Sequence, residues 1–321
     1  MTRHMSARRP ARRSAALLLS ERAIGLRRVT VETATGPVVV RAGRKAGAPA
    51  TVLLHGAAGS WTTWTPLIAA SDASSRPVVD LVVPDLPGWG ESRPLPEDAG
   101  IGELSAAVVT AIRALGYTSW HVAGHSLGGF VALDIAAREP GATLSVALVS
   151  PTGRSVTDAV RHPLRDGRRL PGFGGMLLAM RFLAALPADG RGLLRTLRRA
   201  GLLRRLASPL FANPRFVHSS VADALADEIR PHSFVRAAKL AARYDTRVWS
   251  RITGAVRSVR GSYDVFSADS DAAAFAADIP DFAEHRLDDA GHFAHIEDPT
   301  AVLEAMAEAR DERMPRLTAV G

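Results

Sequence analysis

The residue best placed to do chemistry in this sequence is Ser126, at the centre of the segment Gly124-His125-Ser126-Leu127-Gly128. An apolar run over 120–123 predicts a buried strand before it, and a helical pattern over 130–137 follows it. A sharp turn between strand and helix would expose the serine hydroxyl at its tip. Glycines would flank it because a Cβ there would collide where strand and helix nearly touch. The segment therefore predicts a nucleophile, with helix N–H groups favouring nearby negative charge.

The Gly-x-Ser-x-Gly pattern alone is a weak signal. At ordinary frequencies of glycine and serine it arises by chance in roughly one chain of this length in seven. A glycine-rich turn with a bystander serine is the alternative interpretation. The neighbouring elements must therefore decide between the two.

A proton acceptor and its partner are expected after two later strands. A strand over 255–260 leads into Gly261 and Asp264, and a strand over 282–287 leads to Gly291-His292. Other candidates for the two roles are less well placed in the sequence: they are His285, His295, Asp269, Asp271, Asp288 and Asp289.

Two further loops follow buried strands near the start of the chain. His55-Gly56-Ala57-Ala58 follows an apolar run over 51–54, and a glycine-rich loop there can present backbone N–H groups to a ligand or form a plain turn. We expect His55 to hold this loop rather than to catalyse. Asp85 ends the next strand, but its proline and glycine neighbours favour a turn-stabilising role.

The elements around these residues alternate between apolar strands and amphipathic helices. This pattern predicts an α/β fold with a parallel sheet covered on both faces. The alternation stops over 151–250, where arginine, leucine, glycine and proline dominate. We therefore predict a core over 24–150 and 251–321, a helical cap over 151–250 with a break at Gly201, and a disordered basic extension over 1–23.

The charge of the chain is unevenly placed. The formal net charge is +8; residues 1–30 carry +7 and residues 151–217 carry +10, so the remainder is acidic at −9. Most of the basic residues are arginine, and we do not expect nucleic-acid binding. Contact of the cap with a membrane surface is an alternative that we do not favour. The absence of cysteine excludes disulfides and thiolate metal sites.

No convincing targeting signal is present. The apolar stretch after the first arginines is only five residues long, shorter than the roughly 7–15 residues of a signal peptide. We expect a cytoplasmic protein. The sequence leaves its oligomeric state open.

Taken together, these segments resemble the α/β-hydrolase fold, in its form with a helical cap. Five motifs match in the family's order, ending in nucleophile, acid and histidine. They are His55-Gly56, Asp85-x-Pro-Gly-x-Gly-x-Ser92, Gly-His-Ser126-Leu-Gly-Gly, Gly261-x-x-Asp264 and Gly291-His292. The resemblance implies a mostly parallel eight-stranded sheet with helices on both faces.

The resemblance also implies roles for single residues. Ser126 would be the nucleophile, His292 the general base and then acid, and Asp264 the group that orients the imidazole. Backbone N–H groups of Ala57 and Leu127 would stabilise an oxyanion. Neither a metal nor a cofactor is expected.

Departures from the family patterns narrow the expected reaction. A serine nucleophile in place of aspartate counts against haloalkane dehalogenases and epoxide hydrolases. Carbon–carbon bond hydrolases often carry Gln-Trp where this chain has His295-Ile296. We expect hydrolysis of a carboxylic ester, thioester or lactone on a small, apolar acyl substrate. The alternatives are a carbon–carbon bond hydrolase and a non-catalytic ligand receptor or scaffold.

The acyl pocket is expected under the cap. The insertion begins just beyond the strand that follows Ser126, and its segment over 176–186 is apolar nearly all round and so predicted to be buried. We predict that this segment roofs the pocket with the following side chains: Met176, Leu177, Met180, Phe182 and Leu183.

Overall fold

The computed structural model describes residues 13–310, and for residues 2–4 the backbone only. Its centre is one sheet of nine strands in the order β1-β9-β8-β7-β6-β4-β5-β3-β2. The strands are β1 Thr2–His4, β2 Leu26–Val31, β3 Val38–Gly43, β4 Ala50–Leu54, β5 Leu81–Pro84, β6 Trp120–His125, β7 Thr143–Val149, β8 Ala255–Gly261 and β9 Phe282–Leu287.

The pairing of the strands is mostly parallel. Only β2 with β3 and β3 with β5 pair antiparallel. The eight strands expected from the sequence are β2–β9, and β1 adds a three-residue edge strand beside β9. The fold class predicted from the apolar runs is confirmed.

Helices cover both faces of the sheet. Along β4, Val52 packs with the side of the core that contains α2 (Ile101–Ala114) and α3 (Leu127–Arg138). Leu53 packs with the side that contains α1 (Thr65–Asp72) and α12 (Pro299–Ala309). Burial of alternate residues on both sides explains why these strands are continuously apolar. The core helices are α1 Thr65–Asp72, α2 Ile101–Ala114, α3 Leu127–Arg138, α10 Ser270–Asp278, α11 Ala294–Glu297 and α12 Pro299–Ala309.

Between β7 and β8 the chain forms six further α-helices, together called the cap below. They are α4 Arg154–Arg161, α5 Pro171–Ala185, α6 Arg191–Arg199, α7 Leu202–Ala207, α8 Ser219–Glu228 and α9 Pro231–Arg243. Gly201 has a φ of 68° and separates α6 from α7, as the half-turn phase difference of the leucine pattern predicted. Within residues 13–310, no helix combines the length and apolarity needed to cross a membrane.

The segment preceding β2 differs from expectation. The disordered extension predicted over 1–23 is contradicted for its later part, because the N–H of Ser14 donates to the carbonyl of Phe216 (2.9 Å) and Leu17 is buried. The N–H of Leu17 also donates to the hydroxyl of Ser220 at 2.9 Å. One buried leucine and these hydrogen bonds fix the segment against the cap. Residues 1 and 5–12 lie outside the described residues.

Candidate active site

Ser126 stands alone between β6 and α3 in a strained conformation. Its φ of 51° and ψ of −116° are outside the regions that non-glycine residues ordinarily adopt. A Cβ on Gly124 would lie 2.2 Å from the carbonyl oxygen of Gly128, and one on Gly128 would lie 2.2 Å from that of Leu54. A Cβ at either position would therefore collide, as predicted, and the two glycines permit the turn that presents Ser126.

His292 and Asp264 are brought together from the ends of β9 and β8. His292 Nδ1 lies 2.9 Å from Asp264 Oδ1. A carboxylate can only accept, so the imidazole carries its proton on Nδ1 and leaves Nε2 as an acceptor. Asp264 also accepts from the N–H of Phe266 (2.9 Å) and the hydroxyl of Ser267 (2.7 Å).

The carboxylate of Asp264 stays ionised in this environment. Burial alone would raise its pKa, but the charge of His292 and the hydrogen bonds from His292, Ser267 and Phe266 outweigh burial and lower the pKa below its ordinary value. The ionised carboxylate therefore holds the imidazole in the form that can remove a proton from a hydroxyl.

Ser126 and His292 line one cavity beneath the cap. Its volume is about 60 Å³, room for only a few water-sized groups. Ala57 and Leu127 line it as well. The rest of the wall is largely apolar and comes from both core and cap; its main members are Pro151, Val156, Phe173, Met176, Leu210, Phe234, Ala237, Ala241, Phe266 and Phe293.

The two residues expected to supply oxyanion donors both line this cavity. Leu127 is the first residue of α3, so its N–H has no acceptor within the helix. Ala57 lies on the loop after β4, and the indole N–H of Trp89 donates to its carbonyl at 2.8 Å. Among the described residues, neither the N–H of Ala57 nor that of Leu127 donates to another protein group. Both are therefore available to a ligand oxygen.

His55 holds the loop that carries Ala57. The N–H of Leu86 donates to His55 Nε2 at 2.9 Å, so the ring proton is on Nδ1, which donates to the carbonyl of Gly56 at 2.8 Å. Burial lowers the pKa of His55 in spite of the nearby charge of Asp85. The neutral ring therefore bridges two loops, which confirms the role predicted for it.

Asp85 stabilises the turn that follows β5. Its carboxylate accepts from Arg41 Nη1 (2.7 Å), the N–H of Glu91 (3.0 Å) and the N–H of Trp61 (3.2 Å). Each of its oxygens is thus occupied by structural donors. The turn-stabilising interpretation is confirmed.

The remaining candidates lie in other environments. His285 pairs with Glu308, and Asp269 with Arg260 and Arg286. Asp271 accepts a hydrogen bond from the N–H of Ser155. Asp288 and Asp289 are exposed. His295 is fully buried between Trp64 and His125, and burial followed by the charge of His292 lowers its pKa to about 3. Within residues 13–310, no three His, Asp or Glu side chains could hold a metal ion together.

Two glutamates that sequence reasoning missed connect the cap to this site. Glu297 accepts from the N–H of Gly291 (2.7 Å) with one oxygen and from Ala212 (2.9 Å) and Asn213 (3.2 Å) with the other. Glu228 Oε1 accepts from the hydroxyls of Ser60 (2.6 Å) and Thr62 (2.8 Å), just beyond the Ala57 loop. The sequence offers only a weak indication of a role for Glu297, namely that it lies five residues after His292.

Of the five predicted pocket residues, only Met176 lines the cavity. Leu177, Met180 and Leu183 are buried against other cap residues, and Phe182 is 57% exposed. Successive residues of a helix point about 100° apart, so α5 turns one narrow face to the cavity, through Phe173 and Met176. The prediction that segment 176–186 is buried all round is also wrong, since Leu178 is 69% exposed.

Comparison with known proteins extends these observations. The family model described as alpha/beta hydrolase fold matches residues 49–299. A dihydrolipoyllysine-residue acetyltransferase component of an acetoin cleaving system, from Cupriavidus necator, is 38% identical over 130 residues, which are 40% of this chain and 33% of that protein. A protein named as a carbamate hydrolase in Agrobacterium fabrum is 35% identical over 96 residues, 30% of this chain and 35% of that protein.

The chain thus spans about a third of the length of the curated relatives it matches. Among solved structures, naproxen esterase from Bacillus subtilis has a TM-score of 0.61 at 17% identity, with 90% of this chain and 93% of that chain covered, which shows a shared fold. The family model extends over most of the chain, and the resemblance noted from the five motifs is confirmed. This chain belongs to the α/β-hydrolase fold family.

Proposed function

We propose that this protein is a serine hydrolase that cleaves a small carboxylic ester, thioester or lactone through an acyl-enzyme. The single observation that carries the proposal is that Ser126 and His292 line one apolar cavity while Asp264 holds His292 Nδ1 at 2.9 Å. A nucleophile, a base and an orienting carboxylate are the three groups that this chemistry requires.

The reaction assigned to these residues has two halves. His292 Nε2 removes the proton of Ser126 as Oγ bonds to the acyl carbon, and the carbonyl electrons move to its oxygen beside the N–H groups of Ala57 and Leu127. The tetrahedral adduct collapses, and His292 gives its proton to the leaving alcohol or thiol. Water then attacks the acyl-enzyme and loses a proton to His292. The second adduct collapses, His292 returns that proton to Ser126 Oγ, and the acid is released.

The form of the cavity favours a short, apolar acyl group. The cavity volume is about 60 Å³, and side chains of Phe173, Met176 and Phe234 line it on the cap side. An apolar wall binds alkyl carbon by its removal from water. The esterase and carbamate hydrolase names borne by proteins similar to this one agree with acyl chemistry, and we carry that class over as part of the proposal.

The test is a comparison of two serines in the same cavity. Ser126→Ala should remain folded yet lose hydrolysis of p-nitrophenyl acetate by about 10⁴-fold or more. It should also lose labelling by a fluorophosphonate probe. Ser150 lines the cavity too, with a buried hydroxyl that has no hydrogen-bond partner among the described residues. Ser150→Ala is therefore the matched control and should keep both properties.

The same experiment addresses the alternatives. A ligand receptor without catalysis would give a wild-type protein that neither labels nor hydrolyses. A carbon–carbon bond hydrolase would cleave a ring-cleavage diketone faster than any ester in a graded panel. Labelling of the Ser126→Ala variant as strong as that of the wild type would refute the assignment of the nucleophile.

A further inference from the structure

A second concave region lies on the cap, away from Ser126. It is formed between α6 and the segment that joins α8 to α9, and we call it the arginine groove. Its volume of about 410 Å³ falls within the roughly 300–1,000 Å³ of small-molecule sites. It is lined by Ala188, Arg191, Gly192, Leu194, Arg195, Arg198, Ala226, Asp227, Ile229 and Arg230.

The charge in this groove is concentrated and mostly uncompensated. Arg191, Arg195 and Arg198 follow one another at spacings of four and three, so they share one face of α6. Arg230 faces them from the other wall. Among the described residues that line the groove, the only carboxylate is that of Asp227, which pairs with Arg198 at 2.5 Å. Within residues 13–310, no carboxylate lies within ion-pair distance of Arg191 or Arg195.

Some arginines elsewhere in the cap are neutralised locally. Arg154 pairs with Asp278, Arg161 with Asp158, and Arg165 with Asp166. Others, such as Arg204 and Arg205 on α7, are exposed and pair with no carboxylate within residues 13–310. The groove differs because three guanidinium groups without such a pair come together where the surface is concave.

Arg230 is held in place rather than free to swing into water. It is half-buried, and its Nη1 donates to the backbone carbonyls of Asp227 (2.7 Å) and Ile229 (3.1 Å). Burial and then the positive charge of Arg191 lower the pKa of Arg230, while Glu228, Asp85 and Asp189 act in the opposite direction. The guanidinium groups of Arg230 and Arg191 are therefore near enough to repel each other, and Arg230 is fixed in place. An anion placed between two such groups stabilises both.

We propose that the arginine groove binds a phosphate-bearing anion. Guanidinium groups present paired N–H donors that match phosphate oxygens two at a time, which favours phosphate over a small singly charged anion. Three positive charges remain after Arg198 and Asp227 cancel, which suits a group of two or more negative charges. The phosphate can belong to a soluble ester or to a lipid headgroup.

This site is separate from the catalytic cavity. Leu194, which lines the groove, packs in the same apolar cluster as Phe173 and Phe234, which line the cavity. The apolar cluster therefore lies between the two sites. The proposal stands independently of the reaction assigned to Ser126.

Calorimetric titration of the full chain with inorganic pyrophosphate tests the proposal. We expect saturable binding at low salt that weakens as salt rises. The double variant Arg191→Gln/Arg195→Gln should bind about 100-fold more weakly, at about tenfold per lost charged hydrogen-bonding group. Arg204→Gln/Arg205→Gln removes the same charge from exposed positions on α7 outside the groove and should change the affinity less than threefold.

Two further measurements are needed. One identifies the source of the phosphate, and the other shows whether binding in the groove is independent of Ser126. Sedimentation with vesicles of phosphatidylcholine and phosphatidic acid, against phosphatidylcholine alone, shows whether a lipid headgroup is the phosphate. Loss of that sedimentation in the groove variant alone would support a lipid source. Ser126→Ala should bind pyrophosphate like the wild type. Binding of neither pyrophosphate nor the acidic vesicles, or equal losses in both double variants, would overturn the proposal.

Discussion

Met176 is the residue through which acyl-chain length can be tested most directly. It is the one member of the predicted apolar segment that lines the cavity with Ser126 and His292. Met176→Ala removes three heavy atoms from a wall around a space of about 60 Å³. Longer acyl groups should then fit without displacing α5.

The size of the effect follows from the area of alkyl carbon that becomes buried. At about 0.8 kcal/mol for each buried methylene, two to three added methylenes gain about 2 kcal/mol of transition-state binding. That gain corresponds to about a 30-fold rise in the ratio of kcat/KM for hexanoate to that for acetate. The assay is hydrolysis of p-nitrophenyl acetate, butyrate and hexanoate by each variant.

Two neighbours on the same helix are the controls. Phe182 is exposed, so Phe182→Ala should leave both the ratio and the stability nearly unchanged. Leu177 is buried in the cap away from the cavity, so Leu177→Ala should lower stability by about 2–5 kcal/mol without changing the ratio. An unchanged ratio in Met176→Ala, or an equal change in Phe182→Ala, would refute the placement of the acyl group.

Two other predictions concern buried carboxylates. Asp264→Asn should lower kcat by about 10⁴-fold, the loss typical of such triads, because the imidazole loses its charged partner. The melting temperature should change little, because the amide can still form hydrogen bonds with Ser267 and Phe266. Steady-state kinetics and thermal melts measure the two effects. Burial raises the pKa of Glu228, outweighing the hydrogen bonds from Ser60 and Thr62, so ionisation destabilises the fold as pH rises through that raised value. Glu228→Gln should therefore gain melting temperature relative to wild type at pH 8 and lose that gain near pH 4, and a difference independent of pH would contradict the reasoning.

The core of the fold could be predicted because its signals are local. The strand expected over 282–287 is Phe282–Leu287, and the apolar run over 51–54 lies within β4, because short strands bounded by turn residues are indicated by the local sequence. The catalytic candidates were predictable for a related reason. Parallel strands end at one edge of a sheet, so residues that follow β6, β8 and β9 meet there.

The cap could be predicted only in outline. The leucine pattern and Gly201 gave the break between α6 and α7, yet nothing local showed which face of α5 meets the cavity. Apolar residues indicate that a helix packs against other residues, but they do not indicate which residues those are. The contacts of Glu228 with Ser60, 168 residues away, leave no trace in the sequence at either position.

The hydrogen bonds between cap and core indicate which wall of the cavity can move. The N–H of His292 donates to the carbonyl of Leu210 in the cap at 2.8 Å, and Glu297 binds cap residues Ala212 and Asn213. Hydrogen bonds to a charged group contribute about 1.5–3 kcal/mol each. Breaking the contact between this part of the cap and the core would therefore be unfavourable and would displace His292.

The helix α9 is fixed as well, because Ser233 donates to the carbonyl of Gly88 at 2.8 Å and Arg236 to that of Leu95 at 2.7 Å. In contrast, no hydrogen bond joins α5 to the core within the part of the chain that the structure describes. Apolar packing alone holds this helix in place. Apolar packing is non-directional and tolerates sliding better than fixed hydrogen bonds do. We therefore expect α5, which carries Met176, to be the wall that yields when a longer acyl group enters, while the cap contacts at Leu210 and Glu297 keep His292 in place.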